Sequence, residues 1–318
     1  MNPISEHSEP RNLKRSKFKR IVLTGADGQL GKTLTALWTG SVLARTSTLT
    51  ALSRQQLDIT EPDSVSKALG ESKPDLIINA AAYTAVDGAE NDRDAAFAVN
   101  QQGAENLAAW ASQSAAWLIH ISTDFVFDGS ADSPYKENAA TGPLGVYGES
   151  KLAGEQALQK LLPEFSCIIR TSWLYSEHGK NFVKTMLSLM ADREQLGIVA
   201  DQIGSPTSTH SLAKLIFAII QQGPQAGVFH WCDGGEMSWF DFAEEIQQQG
   251  RAAGLLEIAA KLNAITTEEF PTPAARPAYS VLNREKAVRA FSTEPVQQSD
   301  LQEWQQQLAT VIAALKAQ

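Results

Sequence analysis

The sequence predicts an α/β fold, a doubly wound parallel sheet followed by a smaller second α/β domain. Two observations carry this. Runs that are apolar at successive positions recur along the first half: Ile21-Val22-Leu23, Leu76-Ile77-Ile78, Trp117-Leu118-Ile119 and Cys167-Ile168-Ile169. Strands buried on both faces read this way, whereas one-sided antiparallel strands alternate. Between the runs lie helix-like segments near 29–39, 62–70, 90–113 and 148–162. Repeated strand–helix–strand units build a parallel sheet. A weaker run, Leu49-Thr50-Ala51-Leu52, fills the second strand slot.

After Arg170 the rhythm loosens. Helical patterns near 179–192 and 209–222 flank Ile198-Val199, and Val228–Trp231 reads as a further strand. Ser238 is a natural N-cap for a helix over 238–250. Pro271, Pro273 and Pro277 require an irregular loop, because proline fits neither a helix interior nor a central strand. Leu301, Trp304, Leu308, Ile312 and Leu315 form one stripe of a helix over 298–317. The predicted division is a disordered basic tail over 1–18, a dinucleotide-binding domain over 19–175 plus 197–232, and a second domain over 176–196 plus 233–318.

Composition narrows the function classes. The chain has 318 residues, is 43% hydrophobic and 20% charged, and carries a net charge of −9. That is room for two domains and a large core. An acidic chain is a poor partner for nucleic acid or an anionic membrane. Two cysteines build no disulfide framework, which fits a reducing, cytoplasmic setting. His7, His120, His178, His210 and His230 show no ligand spacing, so no metal is expected. Six of the ten residues from Arg11 to Arg20 are basic, but no apolar core accompanies them, so this is not a secretory signal.

Chemistry enters with Gly25-Ala26-Asp27-Gly28-Gln29-Leu30-Gly31, placed directly after an apolar strand and opening a helix. Glycines permit a tight turn and close backbone approach to a pyrophosphate, and the helix start offers free N–H groups and positive potential. In that context the turn reads as a Rossmann-type dinucleotide site. Where NAD binders place an acid after the second strand, this chain has Leu52-Ser53-Arg54. No carboxylate repels a 2′-phosphate there, and Arg54 would bind one, which favours NADPH with NADH as an alternative. Arg54 also admits the plain reading of a solvated surface charge.

The second motif is Tyr147-Gly148-Glu149-Ser150-Lys151, at the head of a helix. Positions i and i+4 share a helical face, so phenol and amine can meet in one cleft. Bringing a phenol from ~10 to ~7 requires roughly 4 kcal/mol. One ammonium ~4 Å away supplies about that at an effective dielectric of ~20. The third is Ser122-Thr123-Asp124, at the carboxyl end of an apolar strand, where ligands of such sheets bind. In this order the three motifs form an oxidoreductase constellation, with Thr123 bonding the substrate oxygen beside Tyr147.

With these motifs the chain resembles the extended short-chain dehydrogenase/reductases, from about Lys19 to about Asn283. The segments carrying the resemblance include Asn79–Asp87, Ser122–Phe127, Val146–Glu155, Arg170–Trp173, Asn181-Phe182, Asp201–Thr207 and Pro271–Pro277. The resemblance implies a nucleotide-sugar partner and reduction of the C4 ketone of dTDP-4-dehydro-L-rhamnose. Tyr147 would be the proton donor, and Lys151 would lower its pKa and hold the nicotinamide ribose. Gly25, Gly28, Gln29, Leu30 and Gly31 would meet the pyrophosphate, Asp58 and Ile59 the adenine, and Ala81, Ala82 and Tyr83 would wall the cofactor. Thr123, Asp124 and Trp173 would contact the sugar, and Asn181 and Arg276 the diphosphate. Tyr83, Trp173 and Arg276 each also admit a packing or surface role. Some relatives dimerise through acids and magnesium. Thr33 and His210 stand at the corresponding positions, so a monomer or a metal-free homodimer is expected. Two alternatives stay open, another sugar-nucleotide reductase or epimerase, and a non-catalytic regulatory subunit of the same fold. A dehydratase would need a second acid where Phe125 follows Asp124.

Overall fold

The structure, a computed structural model, describes residues 17–291 and 304–318. Its elements begin with β1 (Arg20–Thr24), α1 (Gln29–Trp38), β2 (Thr48–Leu52), α2 (Pro62–Ser72), β3 (Leu76–Asn79), α3 (Gly103–Ser114), β4 (Trp117–Thr123), α4 (Val146–Leu161) and β5 (Ser166–Thr171). There follow α5 (Phe182–Asp192), β6 (Gln195–Val199), α6 (Thr209–Gln222), β7 (Gly227–His230), α7 (Trp239–Ala252), β8 (Lys261–Ile265), α8 (Glu285–Phe291) and α9 (Trp304–Lys316). Six strands form one sheet in the order β7-β5-β4-β3-β1-β2, with every pairing parallel. The chain leaves β1 toward one edge and β3 toward the other. That switch point is where open α/β sheets bind ligands.

The contiguous apolar runs are explained by two cores. Ile21, Leu23, Leu76 and Ile78 point to the face covered by α1 and α6. Val22 and Ile77 point to the opposite face, against Leu69 of α2, Leu107 of α3 and Leu158 of α4. The edge strand β2 has no buried residue, and its apolar pattern is correspondingly weak.

Expectation and structure diverge over 90–113. In place of one helix the chain makes two short turns, Val86–Ala89 and Arg93–Phe97, then a π turn over Ala98–Gln102, and only then α3. A π turn accommodates one extra residue and often re-aims a side chain. Here the turn holds buried Asn100, whose amide clamps Tyr83 by accepting from its N–H at 2.9 Å and donating to its carbonyl at 3.1 Å.

A second core lies beyond β5, built from α5, α7, α9 and the two-stranded sheet of β6 and β8. Ser238 caps α7 in a reciprocal capping box with Asp241, and 271–277 carries neither helix nor strand. The division drawn from sequence shifts at three points. Leu196 and Ile198 of β6 pack in the second core, so 197–199 leave the first. Ala287 and Phe291 of α8 return to the first core, against Phe229 of β7. Phe18 is buried in that same core, so the structured chain starts before residue 19. Residues 1–16, and residues 298–303 of the expected last helix, lie outside the described residues. Among those described, no helix is long and apolar enough to cross a membrane.

Phe242 is fully buried at the centre of the second core, with ring contacts to Tyr175, Phe182 and Trp304. Phe242→Ala should cost about 3–5 kcal/mol of stability. The midpoint of chemical denaturation measures this, and a loss under about 1 kcal/mol would show that the core collapses around the gap.

Candidate active site

The glycine turn brings backbone onto backbone. Gly25 sits at φ +70°, and a Cβ there would strike the Ala80–Ala81 peptide. A Cβ on Gly31 would strike the Gly25 carbonyl and Ala26, so α1 can start hard against the end of β1. No side chain caps the first turn of α1. Its free N–H groups remain available to an anion. Above this turn is a crevice of about 280 Å³. It is lined by Gly25, Gly28, Arg54, Asp58, Ile59, Ala81, Ala82 and Tyr83, all singled out from sequence, and by Asp27, Leu57, Thr60, Ala80 and Val99, which were not.

Of the residues assigned to the pyrophosphate, Leu30 and Gln29 place their side chains elsewhere and Gly31 has none. Leu30 is in the first core. Gly31 serves the close approach of helix to turn. The Gln29 side-chain oxygen Oε1 accepts from Ser176 Oγ and Asn181 Nδ2, both at 2.9 Å. Only their backbone amides face the phosphate role. Arg54 stands at the rim, 76% exposed, with Nε 3.3 Å from the Asp58 carboxylate.

At the carboxyl end of β4 gather the residues that the sequence reading gives a catalytic role. Tyr147 and Lys151 both sit on α4, and Gly148 lets that helix press against the Phe125 carbonyl. Lys151 Nζ donates to the Ile121 carbonyl at 2.6 Å and lies 3.4 Å from His120 Nε2. Burial pushes the ammonium down to about 8, against the opposing pull of Glu155 one turn on. Burial pushes the Tyr147 phenol up to about 12, aided by the Asp124 charge and opposed by the Thr123 hydroxyl. The expectation of a phenol brought near neutrality by Lys151 finds no support in this environment. The ammonium is engaged with the strand backbone, and desolvation of the phenolate dominates. Asp124 is fully enclosed, and burial lifts it to about 6 although Ser280 and Thr123 donate to it. The Thr123 hydroxyl donates to Asp124 Oδ1 at 3.0 Å, and its oxygen accepts the Phe125 N–H at 3.2 Å.

A second cavity, of about 510 Å³, opens beside the second core. Phe182, Met186, Gln202, Trp239, Asp87 and Arg276 are among its lining residues. Of these only Arg276 had been singled out. It bonds Asp87 at 2.8 Å and lies 5.8 Å over the Phe125 ring, which in turn meets Tyr147 edge-on at 5.6 Å. Tyr147 and Tyr83, which lines the crevice of the glycine turn, both pack against the small cluster of Ala89, Ala96 and Val146. Trp173 adopts φ +45° and stacks on Trp239 at 3.5 Å, forming the layer behind the cavity wall. Such a backbone in a non-glycine residue is costly and clusters at functional sites. Asn181 is the N-cap of α5, with Oδ1 accepting from Lys184 and Nδ2 donating to Ser176 and Gln29. Its side chain is engaged within the protein and leaves the substrate contact without geometric support. Thr33 is bonded to Thr209, and His210 to Glu177. Among the described residues no cluster of His, Cys, Asp and Glu could hold a metal.

Comparison with known proteins agrees with this geometry. The family described as the RmlD substrate binding domain matches residues 19–317. A dTDP-4-dehydrorhamnose reductase of Aggregatibacter actinomycetemcomitans is 42% identical over 92% of this chain and 98% of its own length. The crystal structure of the Clostridium acetobutylicum dTDP-4-dehydrorhamnose reductase is 40% identical, with TM-score 0.82, covering 93% of this chain and 99% of that one. The Bacillus anthracis reductase, solved in complex with NADP, is 37% identical with TM-score 0.82 and the same coverage. Family profile, sequence and structure agree, and this chain belongs to the dTDP-4-dehydrorhamnose reductase family.

Proposed function

We propose that the protein reduces the C4 ketone of dTDP-4-dehydro-L-rhamnose to dTDP-L-rhamnose with NADPH, Tyr147 giving the proton. The observation that carries this is the gathering of Tyr147 and Lys151, on one helix, with Thr123 and Asp124 at the end of β4. The crevice fits a dinucleotide, since its floor is the glycine turn and the uncapped first turn of α1 offers free N–H groups to a pyrophosphate. Backbone amides of Gly28, Gln29 and Leu30 would hold the pyrophosphate, Asp58 and Ile59 the adenine end, and Lys151 the nicotinamide ribose. When bound, the reduced nicotinamide supplies the hydride. Arg276 offers the cation for the diphosphate of the sugar nucleotide, and Trp239, Phe182 and Met186 offer apolar faces. Tyr147, neutral across the physiological range, keeps its proton until the carbonyl oxygen becomes an alkoxide, then donates it.

Three measurements test this reading. Tyr147→Phe should lower kcat by about 10²–10⁴ while leaving NADPH affinity within about twofold. Unchanged turnover removes Tyr147 from the chemistry, and no turnover by the parent protein with NADPH or NADH rejects the reductase reading. The Lys151 ammonium exists below about pH 8 and is lost as pH rises through that value. Because kcat/KM reports groups of the free enzyme, kcat/KM for NADPH should fall on the alkaline side with an inflection near pH 8. A profile flat to pH 10 would exclude Lys151 as the controlling group. Arg54→Ala should weaken NADPH binding about tenfold while sparing NADH, the size of one exposed charge-assisted bond. Equal losses for both nucleotides would return Arg54 to its surface pairing with Asp58.

A further inference from the structure

A row of polar side chains runs through the sheet just below the active site. Thr24, Asn79 and His120 are register partners on β1, β3 and β4. All three are buried. The Thr24 hydroxyl donates to Asn79 Oδ1 at 2.7 Å, and the Ala81 N–H donates to the same oxygen at 3.2 Å. Asn79 Nδ2 lies 3.0 Å from His120 Nδ1, and His120 Nε2 lies 3.4 Å from Lys151 Nζ. The reaction as derived above uses neither Asn79 nor His120.

The proton inventory of this row is determinate. The Ala81 amide only donates, so Asn79 presents its oxygen there and its NH₂ to His120. His120 Nδ1 must then accept, and a neutral imidazole carries its one proton on Nε2. That N–H faces Lys151. An ammonium has three donors and no acceptor, so it finds no partner in the ring. Its one protein partner here is the Ile121 carbonyl at 2.6 Å.

We propose that His120 is a positioning residue. Fixed by Asn79 with its proton on Nε2, it denies the Lys151 ammonium an acceptor within the sheet and turns the remaining N–H groups toward the dinucleotide crevice. The row is anchored to that crevice at its Asn79 end. Thr24 directly precedes the glycine turn, and Ala81 walls the same space. The other charged groups around Lys151 are consistent with this. Glu155, one turn on along α4, is paired with Arg170 of β5 at 2.6 Å and accepts from Ser122, so it is already satisfied. Burial and the Lys151 charge together hold His120 well below the usual histidine pKa, which keeps the ring neutral.

The inference rests on the proposed cofactor site for its consequence but not for its first test. Nitrogen-15 NMR of histidine-labelled protein without ligand, with His120 assigned by comparison with His120→Gln, should show protonated Nε2 and bare Nδ1 from pH 6 to 9. A proton on Nδ1, or a cationic ring at neutral pH, overturns the proposal whatever the enzyme reduces. Asn79→Asp supplies the second test. Its carboxylate would draw the ring proton to Nδ1 and bare Nε2 as an acceptor for Lys151. NADP⁺ binding by calorimetry should then weaken about tenfold, with the alkaline limb moved above pH 8. Should that variant not fold, His120→Gln serves, and a loss of NADP⁺ affinity with a displaced limb is expected. Unchanged affinity and limb in the folded variant overturn the positioning role. A protein that passes these tests yet reduces no keto sugar would refute the proposed reaction and leave the role of His120 standing.

Discussion

The parallel register that sets Thr24 beside Asn79, and Asn79 beside His120, also sets the height at which each strand releases the chain. Just past that height lie Gly25 and the Ala80–Ala82 wall, and β4 runs on beyond His120 to Thr123. A slip of one residue would send each side chain to the opposite face. The polar row would enter one apolar core, and Ile21 and Leu23 would exchange places with Val22. Because both faces are packed, neither core tolerates this. The apolar runs therefore do more than stabilise the sheet. They fix the strand ends relative to one another, and the site is assembled on those ends.

Burial then governs the electrostatics of the assembled site, and it acts in opposite directions on acids and bases. Tyr147 and Asp124 are pushed up, and Lys151 is pushed down. Each group is moved toward its neutral form. A phenol at about 12 is a weak acid toward water, but a sugar alkoxide is a stronger base than a phenolate. In the proposed reaction such a donor would keep its proton until an alkoxide forms beside it. A phenol tuned to neutrality would be half ionised before substrate arrived. The high value suits a donor in the direction of reduction.

What could be read in the sequence follows the same physics. Strands buried on both faces, such as Leu76–Asn79, announce themselves as unbroken apolar runs, and the glycine turn declares itself by order and context. The break in 90–113 was hidden because a π turn keeps helical periodicity on either side, and nothing in Ala98–Gln102 marks the extra residue. Helix α8 is only seven residues long, too short for a periodic signal. Local motifs located Tyr147, Lys151 and Thr123. The walls of the larger cavity escaped because Phe182, Met186 and Trp239 come from separate helices and read as ordinary core. Asn181 read as a ligand, yet a side chain directly before a helix is equally suited to capping, and the structure shows that use.

The hydroxyl of Thr123 has one proton, and its direction matters. In this structure it goes to Asp124 Oδ1, while the oxygen accepts the Phe125 N–H and lies within reach of the Tyr147 phenol. Thr123 therefore has nothing to donate to a substrate oxygen while Asp124 is ionised. Asp124 sits near 6 and its Oδ2 lacks a well-aligned donor, so its hold on that proton is incomplete. A sugar hydroxyl reaching Asp124 would satisfy the carboxylate in place of Thr123 and release the threonine proton toward the carbonyl oxygen. Substrate placement would then complete the donor pair of Thr123 and Tyr147, and the pair would form only when a sugar is present to use it.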